Sequence, residues 1–143
     1  MRILILLMLI LMTACAGPAT PIPPGAQPPT PPPPAAPVIT QADQAVVAAQ
    51  QKFPELKDIK KTPPGTIGAS TNITVLDQSD GWNIVFWQGS GDCPAGCINH
   101  HFWYVTVAKD GAITLAGEYA REFDGRSNTF ITRGAPLWGI PRQ

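Results

Sequence analysis

His101-Phe102-Trp103-Tyr104-Val105-Thr106-Val107-Ala108-Lys109-Asp110-Gly111 is the stretch on which the fold turns. His101, Trp103, Val105 and Val107 alternate with Phe102, Tyr104 and Thr106, a period of two that reads as a β-strand. Asp110-Gly111 is a two-residue hairpin signal, and Ile113, Leu115 and Tyr119 continue the pattern on its far side. Working upstream, Trp82, Ile84 and Phe86 alternate with Asn83, Val85 and Trp87 to give a second strand. A turn cluster at 77–81 precedes it, and Ile73 and Val75 supply a strand before the turn. A loop from Gln88 to about Asn99 joins the two central strands.

Before residue 68 the period is different. Ala42, Ala45, Val46, Ala49 and Phe53 recur at helical spacing and make one apolar stripe. Thr40 with Asp43 reads as a variant capping box, and Pro54 ends the helix. Lys57 to Lys61 reads as a solvated turn, and Pro63-Pro64-Gly65 as a second break. One helix followed by about four antiparallel strands buries both apolar faces when the helix lies across the sheet. The expected fold class is therefore α+β, a helix on an antiparallel meander. The chain after about residue 126 has no firm pattern; Phe130-Ile131 suits a short extra strand, Leu137-Trp138 suits packing back, and the last few residues read as loose.

The 143 residues divide by composition. After Arg2 no charged residue occurs until Asp43, and the first aromatic is Phe53. Only residues 38–143 therefore have the make-up of a packed domain. Ten basic and ten acidic residues balance, so no electrostatic footprint for nucleic acid exists.

Residues 1–14 read as a signal peptide: Arg2 is a positive start and Ile3 to Met12 an apolar run of ten residues, half the length of about 20 that a membrane-spanning helix needs. Met12-Thr13-Ala14-Cys15 resembles the lipobox of bacterial lipoproteins, with Met where Leu is usual. That resemblance implies cleavage before Cys15, lipidation of its sulfur (diacylglycerol, with palmitate-type acyl chains) and a membrane anchor. Ala16 after the cysteine, by the same resemblance, implies the outer membrane, with the body facing the periplasm. Residues 15–37 form a linker, with eleven prolines in the twenty residues from Pro18 to Pro37. Such a segment is polyproline-II-like and spans about 60 Å when extended. It reads as a spacer, or alternatively as a ligand for a groove-binding partner.

The order helix, meander and Asp-Gly turn over roughly residues 40–120 resembles the PepSY-like domains of bacterial envelope proteins, which implies a non-catalytic module that binds envelope proteins. The insertion Gly91-Asp92-Cys93-Pro94-Ala95-Gly96-Cys97-Ile98 looks like a cysteine loop of uncharacterised bacterial lipoproteins.

Three readings of that loop stand side by side. Cys93 and Cys97 pair as a disulfide staple in an oxidising compartment. Alternatively Cys93, Cys97, His100 and His101 offer two thiolates and two imidazoles to zinc or copper, although adjacent histidines on a strand face opposite ways. The third reading is thiol redox chemistry, which needs an exposed thiol of low pKa; no cation lies near in sequence. Trp87, Phe102 and Tyr104 fall on the face away from the helix and read as a candidate binding surface for a protein or glycan. No nucleophile–base pair or phosphate-cradling loop is discernible. The sequence thus points to a non-enzymatic envelope lipoprotein that carries a small binding module and needs no cofactor. A metal or thiol-redox protein and a purely structural membrane-to-wall tether are the alternatives.

Overall fold

The computed structural model describes residues 37–139. The signal-like segment, Cys15 and the proline-rich linker up to residue 36 lie outside the described residues, as do 140–143.

Helix α1 spans Ala42–Lys52. Ala45 and Ala49 are fully buried, while Ala42, Val46 and Phe53 pack at the margin of the core. The expected stripe is thus the packed face. The cap differs from expectation. Gln41 is the N-cap and its side chain makes no cap bond. Instead Gln44 Oε1 accepts from the Thr40 backbone N–H at 3.0 Å and from its hydroxyl at 3.2 Å. The longer Gln44 amide, four residues on, takes the place expected of Asp43. Pro54 starts a single 3-10 turn, Pro54–Leu56, since its ring cannot continue the helix.

The segment expected to be a solvated turn is instead anchored. Leu56 and Ile59 are buried, and Gln50 Nε2 donates to the carbonyls of both, at 3.0 and 2.8 Å. Charge counting suggested solvent, but the apolar residue between Asp58 and Lys60 turns inward.

Five antiparallel strands follow in meander order: β1 Thr71–Gln78, β2 Gly81–Ser90, β3 Asn99–Ala108, β4 Ile113–Asp124 and β5 Thr129–Gly134. The fold is α+β, as expected, with one strand more than the four counted from the pattern; β5 begins at Thr129 and contains Phe130-Ile131. The Asp110-Gly111 turn is longer than a two-residue loop. Ala108 N bonds Ala112 O at 2.8 Å, Asp110 Oδ1 accepts from Ala112 N, and Gly111 takes φ 89°. This is a three-residue loop with glycine in the left-handed position.

The sheet is apolar on both faces. Toward α1 lie Ile73, Trp82, Ile84, Phe86, Trp103, Val105 and Val107. Cross-strand partners Phe86 and Trp103, and Ile84 and Val105, form the centre of this layer. Each such side chain contributes about 1.5–3 kcal/mol when fully buried. On the far face lie Val85, Trp87, Phe102 and Tyr104. Among the described residues no second helix covers them. Two irregular segments do so, and they define the site.

Candidate functional site

The first cover is the loop 91–98. Cys93–Ala95 forms a 3-10 turn, Gly96 turns the chain with φ 98°, and Ile98 N returns to Ser90 O at 3.1 Å. Cys93 and Cys97 are joined as a disulfide. The loop lies down on the sheet because Gly89 has no side chain: a Cβ there would stand 2.4 Å from Cys97 Sγ and 2.8 Å from the Trp87 ring. Beneath it, the Trp87 indole N–H donates to His100 Nδ1 at 3.2 Å. The rings of Trp87, His100, Phe102 and Tyr119 follow one another with centroids 6.0, 6.2 and 5.9 Å apart. Burial holds the His100 imidazole below its usual pKa, and the neighbouring Arg121 charge acts the same way; a hydrogen bond to the Cys97 backbone opposes them.

The second cover is the chain end. Leu137 reaches Gly117, Trp138 sits edge-on to Tyr104 with centroids 5.4 Å apart, and Gly139 touches Leu76. This strap crosses the face from β4 to β1. Burial beneath it raises the Tyr104 pKa, a raising also favoured by Tyr119 and opposed by the Leu137 backbone.

These covers correct the expected exposed aromatic strip. Trp87, Phe102 and Tyr104 do lie on the face away from α1, but they are 7%, 3% and 0% exposed. They are a second core, and the pattern of the strands alone could not show which segments return over them. The four proposed metal ligands are not brought into one set either. Cys93 and Cys97 bond to each other. His100 stacks on the far face, whereas His101 stacks on Trp103 at 3.8 Å, on the helix side, with Nε2 2.9 Å from Glu118 Oε2. Among the described residues no group of three or more His, Cys, Asp or Glu is arranged to hold a metal ion.

What the structure adds is a cleft of about 780 Å³ between the disulfide loop and the segment 61–69. Gly68 packs on Pro94, and Ala69 O lies 3.5 Å from Cys97 Sγ, so the two walls meet at one end. Thr62 binds the first residues of β1: its N–H donates to Asn72 Oδ1 at 3.1 Å and its hydroxyl to Thr71 O. Trp87, Cys93, Cys97, Asn72, Thr74 and Lys61 all reach the cleft surface. Sequence reasoning singled out Trp87 and the cysteines but missed the 61–69 wall, whose one signal was Pro63-Pro64-Gly65. Comparison of the chain with protein-family models, curated proteins and solved structures returned no match.

Proposed function

We propose that this chain is a lipid-anchored lipoprotein of the bacterial envelope, tethered through Cys15, whose body is a small non-catalytic binding module. The cleft beside the Cys93–Cys97 loop carries the reading. It is of ligand size, it is walled by a covalently closed loop, and its lining of Thr62, Asn72, Thr74 and Lys61 beside Trp87 offers hydroxyl, amide and ammonium groups next to an indole. That mixture suits a neutral polar chain such as a cell-wall glycan, or a polar segment of an envelope protein. Anchoring and export to the outer membrane rest on the lipobox resemblance, and the PepSY-like reading on the order of elements.

Two measurements test this. Labelled palmitate is incorporated by the wild-type chain in a bacterial host and is lost in Cys15→Ser; equal labelling of both removes the anchor. Titration with soluble wall-glycan fragments quenches tryptophan emission in the wild type and fails in Thr74→Trp, where a bulky ring fills the cleft. No response in the wild type removes glycan as the ligand.

A second reading has its own support: both cysteines of the disulfide line the cleft. In that reading a bound dithiol partner attacks Cys93 Sγ, the Cys93–Cys97 bond breaks, and Cys97 leaves as a thiolate that takes up a proton. The partner's second thiol then resolves the mixed disulfide, so the partner is oxidised as the loop is reduced. The Cys97→Ser variant tests it by trapping a partner on Cys93 in vivo. Trapping favours exchange; an untrapped, fully binding variant leaves the disulfide as a staple.

A further inference from the structure

The two edges of the sheet are treated differently. At the β1 edge, Asn72 Oδ1 accepts from Thr62 N–H and from Ile73 N–H, and the Thr71 hydroxyl donates to Lys60 O. The start of that edge is thereby occupied. At the opposite edge all six residues of β5 are exposed. The phase of β5 follows from β4. Phe123 N–H donates to Asn99 Oδ1, toward β3. In an antiparallel ladder both backbone groups of a residue point to the same side, so Phe123 and Phe130 form a non-hydrogen-bonded pair. Phe130 and Thr132 therefore direct their N–H and C=O groups outward. Among the described residues no backbone hydrogen bond reaches these groups from outside the sheet. The 137–139 strap runs over the face, away from this edge. Edges that must stay single carry charged residues, proline or a bulge; Thr129-Phe130-Ile131-Thr132-Arg133 has one charge, at its end, no proline, and regular pairing with β4.

We infer that β5 is a self-pairing edge, and that two copies of this chain join β5 to β5 antiparallel with a two-fold axis beside Ile131. This register sets Ile131 against the partner's Ile131, Phe130 against the partner's Thr132, and Thr129 against the partner's Arg133. It hydrogen-bonds the outward groups of Phe130 and Thr132. It also covers Phe130 and Ile131, which are 43% and 45% exposed in the single chain. The Phe130 ring is already held in place, with the Arg121 guanidinium 3.4 Å over its centroid and Phe123 edge-on at 5.3 Å. Charge agrees with the register. Arg133 already pairs with Glu122 of its own chain at 3.2 Å, and the register adds the partner's Arg133 to the row of Thr129 and Asp124, so that the second cation faces a carboxylate and no like charge. Sliding the pairing two residues one way places Ile131 against an arginine, and a further two place arginine against arginine, which is destabilising. A one-residue slide turns the backbone groups out of phase. The pairing uses no residue of the cleft and stands or falls independently of the reading above.

The test is register-specific cross-linking of the full chain in detergent, read on non-reducing gels, beside sedimentation of the wild type. Ile131→Cys is expected to form a covalent dimer. Thr129→Cys alone and Arg133→Cys alone do not, because each lies about 13 Å from its own copy at about 3.3 Å per residue; an equal mixture of those two does. Thr132→Pro leaves the β4–β5 ladder intact, since its N–H points outward, and is expected to lose the dimer in sedimentation with an unchanged near-ultraviolet spectrum. A wild type that sediments as a monomer at every concentration overturns the proposal. So does linking of equal extent at 131, 129 and 133. If Thr132→Pro unfolds, the cross-linking pattern decides.

Discussion

At the residue scale, Gly89 and His100 carry the far face. Gly89→Ala forces a methyl against Cys97 Sγ and the Trp87 ring. Overpacking of this kind costs about 1–3 kcal/mol, and we expect the loss as a lowered midpoint in denaturant titration. At the helix-side core, Phe86 is fully buried, and Phe86→Ala should cost about 3–5 kcal/mol by the same measurement. His100 makes stability depend on pH. Its folded pKa is depressed, chiefly by burial, so below the ordinary imidazole range the unfolded chain binds a proton that the folded chain does not. Stability therefore falls as pH drops through that range and is level above it. His100→Gln should flatten this slope in midpoints measured across mildly acidic pH. An unchanged slope would place the titration elsewhere.

At the element scale, the disulfide loop and the strap are lids made of irregular chain. They close over strands whose outward positions would otherwise be bare. A five-residue ring adds about 2 kcal/mol by restricting the unfolded chain. Reduction of Cys93–Cys97 should lower stability by that amount and shift Trp87 emission as the loop lifts, while far-ultraviolet signals persist. The strap has a signature at the other end of the pH scale. Tyr104 is buried, and that burial is the main cause of its raised pKa. Above the ordinary tyrosine range the unfolded chain releases a proton that the folded chain keeps, so stability falls as pH rises further. Removing residues 135–143 should bring the Tyr104 pKa back toward its usual value, read by ultraviolet difference titration, because the group that buries it is gone.

At the scale of the whole molecule, the sheet has two cores and two unlike edges. The helix supplies one cover and irregular chain the other, which explains how a body of modest size buries both faces of the central strands β2 and β3. The cleft opens along β1, where the 61–69 segment and the disulfide loop approach each other, and the free edge lies at β5. The proposed ligand site and the proposed pairing edge are therefore spatially separate. Thr74→Trp should abolish the first without changing the second, and Thr132→Pro should do the reverse; comparing titration with sedimentation for both variants checks this.

The helix, the strands and their order were legible in the sequence because local periodicity records which side of an element is buried. Alternation through Trp82–Trp87 and His101–Val107 determined the meander, and Ala45 and Ala49 determined the packed stripe of α1. The split of His100 from His101 was legible too, since adjacent strand residues face opposite ways. The cysteine loop was visible as a closed turn, with its staple one of three open readings. Tertiary structure alone decided what periodicity cannot encode. It placed Ile59 inside a run of charges, laid the loop over Trp87 because Gly89 makes room, and brought Trp138 onto Tyr104. It also opened the cleft between segments some thirty residues apart. Alternation tells that a face is apolar on both sides, but the identity of its cover depends on where distant chain returns. That is a matter of long-range packing, and no local pattern contains it.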